Sequence, residues 1–283
     1  AVKASTEFNK SMSGVSAVAG ATAAEMSQLR EAALQAGADT VFSASEAATA
    51  QGELAKAGVS VADILGGALA GSLGLAAAGQ LDLGQAAEIS AQALNIFGLA
   101  GDQTTRVADT LAAGANKSAA DVAQLGDALR QGGLLAAQTG LTLEETTGVL
   151  SLFADNALIG SDAGTSLKTM LQRLAPSTGP AADAMRELGL DFFDAQGAFV
   201  GIEEVAAQLQ DRLGGLSDEQ RQTALTTIFG SDAVRGASIL MEGGAAAVEE
   251  YTAAVTDQGA AARMAAEQLN NLAGDVEQFK GSV

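Results

Sequence analysis

The sequence contains no histidine, no cysteine and no tryptophan, and it has only two prolines. Without cysteine there is no disulfide framework, no thiolate nucleophile and no thiolate metal site. Without histidine there is no imidazole base, no Ser-His-Asp triad and no histidine-ligated metal. Aromatic residues make up 4% of the chain, so a core must be built from Ala, Leu, Val, Ile and Gly. Basic side chains are also scarce: 15 Lys and Arg face 34 Asp and Glu, a formal charge of −19 over 283 residues. A basic surface is the electrostatic footprint of nucleic-acid binding, and this balance is its opposite. Charge of that size favours solubility and self-repulsion at high local concentration.

What is abundant is alanine, 63 residues, together with Leu, Gln and Glu. These are good helix formers, whereas the β-branched and aromatic residues that strands prefer are thin. Apolar positions recur at intervals of three and four. Ala86, Ile89, Ala93, Ile96, Phe97 and Ala100 share one helical face, as do Val122, Leu125 and Leu129. The same spacing joins Leu167, Met170, Leu171 and Leu174, and then Ile202, Val205, Ala206, Leu209 and Leu213. This periodicity predicts an all-α fold, a compact multi-helix bundle of about ten short amphipathic helices.

Helix starts are marked by a hydroxyl with an acid or amide three positions on: Ser43/Glu46, Ser60/Asp63, Ser118/Asp121, Thr142/Glu145 and Ser217/Gln220. The hydroxyl accepts an orphan N–H of the first turn and the later side chain reaches back. Helix stops are predicted at Gly58, Gly79, Gly101, Gly140, Gly160 and Gly230. Pro176 is expected to end a helix over 164–175, and Pro180 to occupy a first turn. The non-helical candidate lies at 190–200, where aromatic runs flank an Asp194…Gly197 turn: either a small β-hairpin or a loop pinned by three Phe. No repeat of fixed period is present. From residue 259 the positions Ala265, Leu269, Leu272, Val276 and Phe279 step by four and three, a short heptad seam. It reads either as the start of a longer helix or as an ordinary terminal helix. The expected division is a compact domain over 1–258 and this helix over 259–283. An N-terminal Ala and the absence of an apolar leader suggest a fragment of a longer chain rather than a signal-bearing one.

Adjacent acids at Glu144-Glu145, Glu203-Glu204, Asp218-Glu219 and Glu249-Glu250 are compatible with acid/base chemistry. Sequence neighbours do not face each other on a helix, however, and capping accounts for most of these pairs. No calcium loop, Gly-rich phosphate loop or dinucleotide fingerprint is present. The chain is therefore read as a non-enzyme without cofactor. The stretch Ile64–Leu81 holds no charged residue, and Gly67, Gly71, Gly74 and Ala78 form a small-residue stripe along it. Such a stripe suits either a close helix crossing in a soluble bundle or a membrane-entering helix.

Several short pieces occur in order: Ala-Lys-Ala-Gly-Val-Ser at 55–60, Val-Ala-Asp-Thr-Leu at 107–111, Leu-Gly-Asp-Ala-Leu-Arg at 125–130 and Gly-Leu-Thr-Leu-Glu-Glu-Thr at 140–146. Ile-Gly-Ser-Asp-Ala-Gly-Thr-Ser-Leu at 159–167 and Ile-Phe-Gly-Ser-Asp-Ala at 228–233 follow. This succession, over roughly residues 40–275, resembles the core region of tail tape measure proteins of long-tailed bacteriophages, the TP901-type family. Ala163-Gly164-Thr165 and Phe229-Gly230 are the most telling elements. Asn156-Ala-Leu158 departs from the pattern, because the family calls for a glycine there.

The resemblance implies a structural tail protein that occupies the tube lumen, templates tail assembly and length, and leaves ahead of the DNA. It implies tail tube and tail tip proteins as partners, homo-oligomers, and a place in the virion after assembly in the host cytoplasm. The acidic balance itself argues against stable nucleic-acid binding. The alternative function is a membrane-active segment supporting a DNA-passage channel in the host envelope.

Overall fold

Several helix starts in this chain are set by the side chain of the residue just before them. In the computed structural model, which describes residues 2–176 and 178–268, five complete capping boxes stand at Thr22/Glu25, Ser43/Glu46, Asp121/Gln124, Thr142/Glu145 and Ser217/Gln220. Ser60 accepts from the Asp63 amide in the same way. The start expected at Ser118 is displaced. The preceding helix runs on to Lys117, so the Ser118 hydroxyl donates back to the Gly114 carbonyl at 2.8 Å, and Asp121 itself becomes the cap. The Thr22 box escaped the sequence reading because a weakly amphipathic, alanine-rich segment follows it.

Fourteen α-helices follow among the described residues. They are α1 (Val2–Ala19), α2 (Ala23–Asp39), α3 (Ala44–Lys56), α4 (Val61–Asp63), α5 (Leu69–Gly79), α6 (Leu83–Phe97) and α7 (Thr104–Lys117). Then come α8 (Val122–Thr139), α9 (Leu143–Asp155), α10 (Gly160–Gln172), α11 (Pro180–Leu188), α12 (Ile202–Leu213), α13 (Asp218–Phe229) and α14 (Val234–Ala254). A π-helical turn, Ile64–Ala68, joins α4 to α5, and residues 260–268 are again helical. The heptad positions from Leu269 onward lie outside the described residues.

Among the predicted stops, Gly58, Gly140 and Gly230 close helices with positive φ. Three others shift. Gly79 is the last residue of α5 and the left-handed position falls on Gln80 (φ 51°). Gly98 (φ 63°), not Gly101, closes α6. Gly160 opens α10 instead of ending α9, and the left-handed residue there is Ala157 (φ 58°). Pro180 is the first residue of α11, and α10 ends before Pro176. Near 190–200 the described residues hold no strand, only a single antiparallel bridge between Phe193 and Phe199. The Asp194 carboxylate accepts from the Gln196 and Ala198 amides at 2.9 and 2.8 Å, and the Phe193 and Phe199 rings stand 6.0 Å apart.

The chain packs as two compact units, one of residues 1–112 with 258 onward, the other of 113–257. In the first, α3 is central: α1, α2, α5 and α6 all lie against it. Leu29, Ala47, Leu54, Leu75 and Leu94 are fully buried there, and the buried Gln51 amide donates to the Leu29 carbonyl at 2.9 Å. In the second unit α10 crosses α8, and α14 packs on α9 and α12. Its largest buried side chains are Phe153, Phe192 and Phe229, so the few aromatic rings of the chain supply this core. The predicted faces of α8, α10 and α12 are buried as drawn from their spacing. Where bulk is lacking, backbones close the distance: a β-carbon on Gly132 would lie 2.6 Å from the Gly164 carbonyl oxygen of α10.

Candidate functional site

The small-residue stripe occupies the first unit, and its four members stand in different surroundings. Gly71 is buried, and a β-carbon on it would meet the Thr104 carbonyl carbon at 2.7 Å and the Thr105 nitrogen at 2.8 Å. Here α5 therefore touches the start of α7 backbone to backbone. A β-carbon on Gly74 would meet the Ala261 methyl at an ordinary 4.0 Å, and Ala78 is buried. Gly67 is different: it adopts φ 151° in the π turn with open space around it, so it serves the bend rather than a contact. Among the described residues one helical stretch, Val61–Gly79, is long and apolar enough to cross a membrane (mean hydropathy 1.6), and half of it is buried within the protein.

The acidic pairs tell a second story. Glu145, Glu203 and Glu249, one from each of three pairs, line a single cleft of about 220 Å³ in the second unit. Tertiary packing of α9, α12 and α14 brings them together, which adjacency in sequence could not reveal. Among the described residues no group of three such side chains is disposed to hold a metal ion. Charge is concentrated in this unit: it carries 20 acidic and 8 basic residues, a formal −12, against 14 and 7, or −7, in the first.

The sole tyrosine anchors a polar knot beside that cleft. The Tyr251 hydroxyl donates to Asp155, whose other oxygen accepts from the Ala119 amide at 2.8 Å. The Lys117 ammonium lies 4.8 Å over the Tyr251 ring and pairs with Glu250 at 2.5 Å. Partial burial, the hydrogen bond to Asp155 and the nearby Asp155 and Glu250 charges push the Tyr251 phenol up to about 12. That shift opposes a nucleophilic or basic role near neutral pH and suits a structural tie between the ends of α7, α9 and α14.

A carboxylate the sequence reading did not single out, Asp109 on α7, accepts from the Gly259 amide at 2.8 Å and the Ala261 amide at 3.1 Å. Both N–H groups belong to the start of the helix over 260–268. The motif at 107–111 contained this residue, but a contact 150 positions away leaves no local signal.

Sequence comparison relates the chain to known proteins. The family model for phage-related minor tail proteins matches residues 30–230. The tape measure protein of Pneumococcus phage Dp-1 is 37% identical over 282 residues, which is 99% of this chain and 24% of that protein. The probable tape measure protein of Escherichia phage P2 is 33% identical over 285 residues, 98% of this chain and 34% of that protein. The chain thus spans 24–34% of the length of these relatives. No solved structure matches it. The two motif elements that carried the resemblance fall where the fold is most constrained, Gly164 at the crossing of α8 and α10 and Phe229 in the core. With 201 of 283 positions inside the family model, the chain belongs to the phage-related minor tail protein family.

Proposed function

We propose that this chain is a folded segment of a tape measure protein, a structural component of the phage tail and not an enzyme. The observation that carries the reading is end-to-end similarity, at 33–37% identity, to two proteins named for that role. In the virion the segment would sit in the tail tube lumen, with tail tube and tail tip proteins and further copies of itself as neighbours. It would template assembly in the host cytoplasm and depart ahead of the DNA. A formal charge of −19 supports this last step, because a negatively charged occupant does not hold the nucleic acid that follows it.

Within such a protein the compact part is not the ruler. Stretched as one helix, 283 residues would reach about 425 Å at ~1.5 Å per residue. The caps and turns instead divide the chain into short helices that pack into two compact units, and length would be measured by the helix that begins near residue 259. The membrane-channel alternative gains no support from the comparisons. Gly71, Gly74 and Ala78 are best understood as serving packing within the first unit.

Microscopy of tails carrying an in-frame deletion of residues 113–257 tests the proposal. Tails of parental length are expected. If those residues lay extended as a helical ruler, the tail would shorten by about 220 Å, and that result would overturn the compact-segment reading.

A further inference from the structure

We propose that Asp109 is a releasable latch that holds the helix beginning at residue 260 against the first unit. The first turn of this helix is preceded by Gly259 (φ 76°), which has no side chain to offer, and the Thr256 hydroxyl donates away to the Ala253 carbonyl at 2.7 Å. The orphan donors are met instead by both oxygens of one carboxylate, 150 positions earlier in the chain. A carboxylate at a helix N-terminus gains twice, from charge-assisted hydrogen bonds and from the positive end of the helix dipole.

Among the described residues of this helix, 260–268, only Ala261 is buried, while Ala260, Met264, Ala265 and Gln268 are half-buried. The Ala261 methyl is the side chain that a β-carbon on Gly74 would meet. One further tie joins the Gln80 and Gln268 side chains near the far end of the described helix. An amide pair at the surface competes with water, so of these two polar ties the charge-assisted one to Asp109 is the stronger. The latch also sits at a particular place in the chain. Asp109 lies just before the chain leaves the first unit at residue 112, and Gly259 lies just after it returns at 258. When the carboxylate lets go, the helix can lift from α5 as a rod while the cores of both units stay intact. This inference rests on the geometry of the first unit and not on the tail role.

The test uses the whole 283-residue chain with Asp109→Ala and, as the milder change, Asp109→Asn, which keeps one acceptor oxygen. Hydrogen exchange should speed up at Gly259 and Ala261 by about tenfold or more for Asp109→Ala, and by less for Asp109→Asn. The Gly84 amide, capped by Asp82, should exchange as before. The natural absence of cysteine allows nitroxide labels at the exposed positions Glu88→Cys and Glu267→Cys, which leave the Gln80–Gln268 tie in place. Their separation should broaden toward longer distances on Asp109→Ala. Unchanged exchange and unchanged label distance would overturn the proposal. So would loss of protection throughout α1–α6 in both variants, because Asp109 would then be part of the core and not a latch upon it.

Discussion

Gly164 of α10 lies so close to Ala128 of α8 that a β-carbon on the glycine would stand 2.1 Å from the Ala128 carbonyl oxygen. No side chain can yield there, because the obstacle is backbone. Gly164→Ala is therefore expected to lower unfolding free energy by about 2–3 kcal/mol, the usual cost of overpacking. Gly14, exposed within α1 with nothing near, provides the contrast: Gly14→Ala should raise stability by about 0.5–1 kcal/mol through helix propensity. Urea melts of the two variants check both signs.

Ala157 carries a left-handed backbone at the end of α9, where it costs an ordinary residue about 1–2 kcal/mol. Glycine removes that cost but adds about 0.4–1 kcal/mol of unfolded-state entropy to be lost. The net expectation for Ala157→Gly is a gain of about 0.5 kcal/mol, read as a rise in the urea midpoint. Ala154→Gly, three residues earlier, helical and buried, should instead lose about 1–2 kcal/mol.

Tyr251 gives the fold an alkaline limit. Its pKa is raised in the folded protein from the ordinary 10.0 to about 12, so the neutral phenol is favoured by folding. The stabilisation is complete below pH 10 and disappears as pH rises toward 12. Tyr251→Phe should accordingly be less stable than the parent at pH 8, and the gap should shrink across that window. Denaturant midpoints at pH 8, 10 and 11.5 for both proteins provide the measurement. A constant gap would mean that Tyr251 contributes only packing.

The stripe on α5 yields a graded series. Gly71→Ala forces α5 away from Thr104 and Thr105 and should cost about 1–3 kcal/mol. Gly74→Ala meets only Ala261 at 4.0 Å and should be neutral or stabilising by up to about 1 kcal/mol. Gly67→Ala is strained by its φ of 151° whatever the space. Equal effects at all three positions would contradict the packing described for them.

Most of the architecture was legible because it is written locally. A hydroxyl followed by an acid is a property of four consecutive residues, and the faces of α8, α10 and α12 are properties of a dozen. Errors arose where two local signals overlapped. Ser118 and Asp121 both qualify as caps, and the length of α7 decided between them. At 157 the required turn geometry outranked residue preference, so a search for glycine looked one turn too late. The convergence of Glu145, Glu203 and Glu249, and the reach of Asp109 to Gly259, depend on tertiary packing and left no pattern to read.

The second unit interrupts the first in sequence, and this has a consequence for synthesis. A ribosome delivers residues 1–112 early, yet the segment that completes their packing emerges only after 257. At ordinary elongation rates of about 5–20 residues per second, the early helices wait roughly seven to thirty seconds. During that interval the inserted unit can finish folding, while the side of α5 at Gly74, where Ala261 comes to lie, is still uncovered.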